Sequence, residues 1–274
     1  MAYTEWGDPA NPRVLVCVHG LTRSGRDFDK VAEALCHDYR VVCPDVAGRG
    51  LSDWLSNPKL YGVPQYVADM VALIARLNVE SVDWFGTSMG GLIGMALAGL
   101  PDSPIRKLLL NDVGPHIEPA ALERIGSYLG KSEGFASLQE GIDNAAALAA
   151  SFGPLTPDEW RAINTPLLHE RDGRWTYRYD PQIAVPFVAA DSHAIALGEA
   201  MLWQALAAIR HPVLVVRGEH SDLLSRETVA QMVARGQMVT SVEAPGVGHA
   251  PAFVTPGQIE IALRFFRETQ TSRA

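Results

Sequence analysis

Ser88 stands in Gly86-Thr87-Ser88-Met89-Gly90, directly after the apolar run 82–85 and directly before a helical stretch. A serine so placed occupies a very tight strand-to-helix turn. Side chains two positions to either side would collide with each other and with backbone, which explains the two glycines. The turn exposes the hydroxyl, and free amides at the start of the helix can hold a negative oxygen beside it. This is the pattern of a nucleophile for acyl transfer. Such a hydroxyl needs a base, and the base needs an orienting carboxylate. The chain offers both in the order Ser, Asp, His: Asp222 in Arg217-Gly218-Glu219-His220-Ser221-Asp222, and His249 in Gly248-His249-Ala250. Each follows an apolar run, 213–216 and 238–242. The expected set is therefore Ser88, Asp222 and His249. Asp112, just past the run 107–110, is the alternative acid, whereas His220 is too near Asp222 in sequence to bridge it to Ser88.

His19-Gly20-Leu21 follows the run 14–18. A loop there can supply a second oxyanion donor, so the Leu21 N–H is paired with the Met89 N–H, and His19 is read as a structural residue holding the loop. Metal chemistry finds no support: there is no H-E-x-x-H, and Glu219, His220 and Asp222 lack partners at ligand spacing. Gly48-Arg49-Gly50 and Gly86 to Gly91 fail as nucleotide motifs at their last positions, so no cofactor is expected.

These residues need a scaffold that brings them to one edge. Runs at 14–18, 41–43, 82–85, 107–110, 213–216 and 238–242 are short, continuous and rich in β-branched residues, as in strands buried on both faces. Between them lie amphipathic stretches such as Val67, Met70, Val71, Ile74 and Leu77. Alternation of this kind predicts an α/β fold with a parallel sheet and helices on both faces, its chemistry at the carboxyl ends of the strands. From 114 to 209 no strand stands out but helical segments do. The predicted organisation is a core of 1–113 and 210–274 with a mainly helical lid at 114–209. Trp203, Phe187 and Val247 are expected to line an apolar substrate pocket.

The set His19-Gly20, Asp45-x-x-Gly48-x-Gly50-x-Ser52-Asp53, Gly86-Thr87-Ser88-Met89-Gly90-Gly91, Arg217-Gly218-x-x-Ser221-Asp222 and Gly248-His249 resembles the α/β-hydrolase superfamily over nearly the whole chain. The resemblance implies about eight strands, mostly parallel, with the lid after the sixth. It also implies Ser88 as nucleophile, Asp222 as acid and His249 as base. Serine at position 88 disfavours the aspartate-dependent haloalkane dehalogenases and epoxide hydrolases. The expectation is a serine carboxylesterase-like enzyme acting on small to medium acyl esters. A C–C bond hydrolase of ring-cleavage products, with Arg23, Arg49 or Arg124 for the substrate carboxylate, stays open, as do a lactonase, a perhydrolase and a non-catalytic receptor.

Composition narrows the partners. With 23 Lys and Arg against 31 Asp and Glu, the net charge is −8, and no basic cluster is visible, so nucleic acid is not an expected partner. Three cysteines, Cys17, Cys36 and Cys43, cannot all pair and suit a reducing compartment. No basic-then-apolar leader opens the sequence and no apolar run approaches the roughly 20 residues of a membrane span. A cytoplasmic protein without membrane contact, acting on a small-molecule ester, is the expectation.

Overall fold

The computed structural model describes residues 1–268. Its strands are β1 (Tyr3–Trp6), β2 (Val14–Val18), β3 (Arg40–Pro44), β4 (Val82–Thr87), β5 (Ile105–Asn111), β6 (Leu168–Arg171), β7 (Arg174–Tyr177), β8 (Val213–Gly218) and β9 (Val239–Ala244). Seven of them form one sheet in the order β1-β3-β2-β4-β5-β8-β9. Only β1 runs antiparallel to its neighbour; the other pairings are parallel. This is the expected α/β-hydrolase fold, with seven strands among the described residues instead of about eight, and with the long insertion after the fifth. The edge strand β1 had no legible pattern, being half-buried along its whole length.

The helices are α1 (Asp29–Leu35), α2 (Val63–Leu77), α3 (Met89–Ala98), α4 (Pro119–Tyr128), α5 (Leu138–Leu148), α6 (Pro157–Asn164), α7 (Ala184–Ala189), α8 (Ser192–Ala208), α9 (Arg226–Arg235) and α10 (Pro256–Arg267). Alternate residues of the central strands enter two separate cores. Val14, Val16, Val18, Leu108, Leu110, Val213 and Val215 pack beneath α2, α3, α8 and α9. On the other face, Leu15, Cys17, Val41, Phe85, Leu109 and Val216 meet α1 and α10 through Leu35, Ala262 and Phe266. Burying each large side chain is worth about 1.5–3 kcal/mol, which is why these strands read as unbroken apolar runs.

The region between β5 and β8 is mainly helical. It contains the antiparallel hairpin β6–β7, whose four-residue strands alternate too briefly to stand out in the sequence. Its last helix, α8, lies against α3, with Ala205 in contact with Gly99, so α8 flanks the sheet and does not cover the serine edge. The part that stands over Ser88 is accordingly shorter than the whole of 114–209.

Close packing at the start of α3 fixes the serine. A Cβ on Gly90 would lie 2.0 Å from the Val18 carbonyl oxygen, and one on Gly86 would lie 2.3 Å from the Gly90 oxygen. Both obstacles are backbone and cannot swing aside. Gly90→Ala should therefore push α3 off β2 and cost about 3 kcal/mol or more in urea unfolding. A variant within about 0.5 kcal/mol of the parent would show that the helix start has slack.

Candidate active site

Ser88 caps β4 with φ 51° and ψ −115°, a left-handed conformation rare for a residue with a side chain. Its amide donates to the Asn111 carbonyl at 3.0 Å, tying the turn to the neighbouring strand. The Ser88 hydroxyl lies 3.0 Å from His249 Nε2, and His249 Nδ1 lies 2.8 Å from Asp112 Oδ2. Serine, imidazole and carboxylate thus form one hydrogen-bonded chain across the carboxyl ends of β4, β5 and β9, with donor–acceptor lengths normal for such bonds.

The acid in this chain is Asp112, and Asp222 is outside it. The reason is the turn after β8. Ser221 N–H donates to Gly218 O, and this curl sends the Ser221 hydroxyl inward and leaves Asp222 half-exposed. Ser221 Oγ donates to Asp112 Oδ2 at 2.6 Å while accepting from the Leu223 and Leu224 amides. Asp222 instead forms a two-pronged ion pair with Arg124 of α4, at 2.7 and 3.0 Å. Asp112 follows β5 with φ 55° and no exposed surface. Its carboxylate accepts from Gly218 N–H, Ser221 Oγ and His249 Nδ1. Three donors replace the water a buried carboxylate has lost.

The expected oxyanion donors sit beside the serine. Met89 is the first residue of α3, where a helix amide has no partner within the helix. Leu21 lines the same cavity as Ser88 and His249. His19 holds the Leu21 loop from below: Val46 N–H donates to its Nε2 at 3.0 Å, and its Nδ1 donates to Gly20 O at 2.7 Å. Complete burial pushes the His19 imidazole below its ordinary pKa, in keeping with a ring that accepts at one nitrogen and donates at the other.

Arg49 has a part in this loop that its sequence context did not reveal. It is fully buried, not solvated, and donates from Nε to Leu21 O, from Nη1 to Ala47 O and the Tyr66 hydroxyl, and from Nη2 towards Met89 Sδ. It therefore touches both residues expected to supply the oxyanion amides. Arg23, also buried, is spent on Asp27, Asn164 Oδ1 and Ile163 O. The signal for both was their place in loops just after β2 and β3, where a long side chain can turn back under the sheet edge.

The cavity over Ser88 is walled mainly by apolar and aromatic residues of the insertion: Ile125, Tyr128, Leu148, Phe152, Leu167 and Tyr179. None of the three expected pocket residues is in that wall. Trp203 on α8 bonds Glu199 and stacks under Arg235. Phe187 packs on the core beside Gly126, and Val247 belongs to the core on the α1 and α10 side. For Trp203 the cause is the placement of α8 along the sheet. Among the described residues no group of three His, Cys, Asp or Glu side chains could hold a metal ion, and no single helix is long and apolar enough to cross a membrane.

Two outcomes follow from this geometry. Asp112→Asn should lower kcat/KM on p-nitrophenyl butyrate by about 10³–10⁴-fold, the scale known for a triad aspartate in a serine protease. Asp222→Asn should cost less than about tenfold; the reverse ranking would return the acid role to Asp222. For His19, folding disfavours the proton. Its contribution to stability is complete above the ordinary value of about 6.5 and is lost as pH falls through the depressed folded value. Nitrogen shifts in an NMR titration should show the neutral ring persisting at about pH 6, and a normal titration would refute the buried tautomer.

Residues 15–260 match the family model described as "Alpha/beta hydrolase family". The chain is 66% identical over 270 residues to the 3-hydroxybutyrate-oligomer hydrolase of Cupriavidus necator, covering 97% of this chain and 92% of that one. It is 25% identical to esterase YbfF of Escherichia coli over 93% of this chain and 92% of that protein. Among solved structures, an alpha/beta hydrolase from Novosphingobium aromaticivorans superposes with a TM-score of 0.83 at 36% identity, covering 96% of this chain and 92% of that chain. A family match spanning most of the sequence and a hydrolase relative 66% identical over nearly the whole chain lead to one conclusion: the chain belongs to the α/β hydrolase family and is a hydrolase.

Proposed function

We propose that the protein is a serine hydrolase of carboxylic esters and that its substrates are short oligomeric esters of 3-hydroxy acids. The observation that carries the reading is the hydrogen-bonded chain from Ser88 through His249 to Asp112. The kind of ester is suggested by the 66% identity to a 3-hydroxybutyrate-oligomer hydrolase.

In the proposed reaction, His249 Nε2 takes the Ser88 proton as Oγ attacks the ester carbonyl carbon. The imidazolium so formed donates from Nδ1 to Asp112, whose buried negative charge stabilises it. The Leu21 and Met89 amides receive the oxyanion; removing one such donor typically costs 10²–10³-fold in rate. Arg49 acts through them: its bond to Leu21 O orients the loop that presents the Leu21 N–H. Collapse of the tetrahedral intermediate breaks the ester C–O bond, and His249 returns its proton to the departing alkoxide. Water, deprotonated by the same imidazole, then cleaves the acyl-enzyme and restores Ser88. The cavity wall of Ile125, Leu148, Phe152 and Leu167 suits methyl-bearing acyl units of modest length.

A fluorophosphonate probe should label Ser88, and Ser88→Ala should lose both the label and all turnover of p-nitrophenyl butyrate and of the 3-hydroxybutyrate dimer, with an unchanged melting curve. Residual full activity in Ser88→Ala would remove the serine mechanism. Labelling without turnover of either ester, or a far larger kcat/KM for a ring-cleavage dienoate, would remove the ester reading.

A further inference from the structure

Three charged residues face the cavity above Ser88: Arg23, Asp27 and Arg124. Arg23 and Asp27 neutralise each other through two hydrogen bonds, and Arg23 also donates to Ile163 O and Asn164 Oδ1, so each of its three nitrogens is engaged. Arg124 differs from both. It projects from α4, its side chain is 39% exposed, and its partner Asp222 is 46% exposed and is not part of the cavity wall. The pair uses Nε and Nη2 and leaves Nη1 outside it. Tyr128, one helical turn on, shares the same wall and stands against the guanidinium. An ion pair this open to water is weak, so a second carboxylate can take Asp222's place at little cost. Arginine also presents a planar fork matched to a carboxylate.

An oligomer of a hydroxy acid has ester links along its length and one free carboxylate at its end. When the last link is cut, the leaving alcohol is the unit that bears that carboxylate. We propose that Arg124 anchors the terminal carboxylate of the substrate, with Asp222 as the internal carboxylate it exchanges for, so that cleavage is directed to the unit at the free-acid end. This rests on the ester-hydrolase reading above. Ser88 Oγ bonds to the carbonyl carbon, the C–O bond to the terminal unit breaks, and His249 supplies the proton. The product leaves as a 3-hydroxy acid anion from Arg124. Asp222 then reoccupies the guanidinium. A neutral ester gains nothing from this exchange.

The test compares the 3-hydroxybutyrate trimer as free acid and as methyl ester, measuring kcat and KM for each. The parent enzyme should prefer the free acid by about tenfold or more in kcat/KM, the difference lying mainly in KM. Arg124→Gln should bring that ratio close to one, and Arg124→Lys should restore part of it. Asp222→Asn should lower KM for the free acid by roughly threefold by removing the competitor. Melting curves of the variants control for folding, and each ratio is internal to one protein, so partial loss of active enzyme does not affect it. Equal kcat/KM for the two trimers in the parent, or an unchanged ratio in Arg124→Gln, would overturn the anchor while leaving the ester reading intact. Turnover of neither trimer would overturn the oligomer reading and the anchor together.

Discussion

A carboxylate without any exposed surface organises the serine edge of this molecule. Asp112 has lost all its water, a loss that costs several kcal/mol for an unpaired ion. What keeps it there is a set of donors drawn from two separated segments: Gly218 and Ser221 in the turn that ends β8, and His249 beyond β9. Each of those segments is positioned by the demand for a partner. The turn after β8 curls so that a hydroxyl faces in, and the loop after β9 presents an imidazole with its Nδ1 towards the acid. That orientation leaves Nε2 facing Ser88. A proton gained by His249 during the proposed reaction would convert a hydrogen bond to a buried anion into a buried ion pair, which offsets the charge that makes Asp112 costly when alone.

Much of this was legible beforehand because steric rules left few options. The glycines around Ser88 predict the turn, and the structure shows backbone where any Cβ would go. The central strands are recognisable as apolar runs because both their faces are buried. The choice between Asp112 and Asp222 was not legible. Both follow a parallel strand, both precede short stretches able to turn, and chain order permits either. What decides is one residue of phase in the 218–222 turn, where Ser221 rather than Asp222 points inward. Phase in a loop depends on bonds to distant segments, and no local periodicity encodes it. The pocket residues failed for a related reason. A helix within a long insertion can rest on the site or on the flanking helices, and α8 rests on α3, with Ala205 against Gly99.

Charge at the site follows a simple division. Guanidinium groups that hold structure are buried and bonded through all three nitrogens: Arg49 beneath the Leu21 loop and Arg23 against Asp27. Arg124, the guanidinium proposed to change partner, reaches water. Burial and full use of its nitrogens hold a cation rigid, whereas an exposed ion pair is cheap to exchange. On the proposal above the same side chain serves both purposes, and only the surroundings tell them apart.

The segment over the cavity is also joined to the histidine loop. Between α5 and α6, Ser151 accepts from the Gly248 amide through its carbonyl and donates from its hydroxyl to the His249 carbonyl. Anyone seeking a more open-mouthed version of this scaffold by trimming 114–191 would therefore remove more than a roof. The cut would strip the Gly248 amide and the His249 carbonyl of their partners, and the imidazole would be left on a slack tether at the moment access improved.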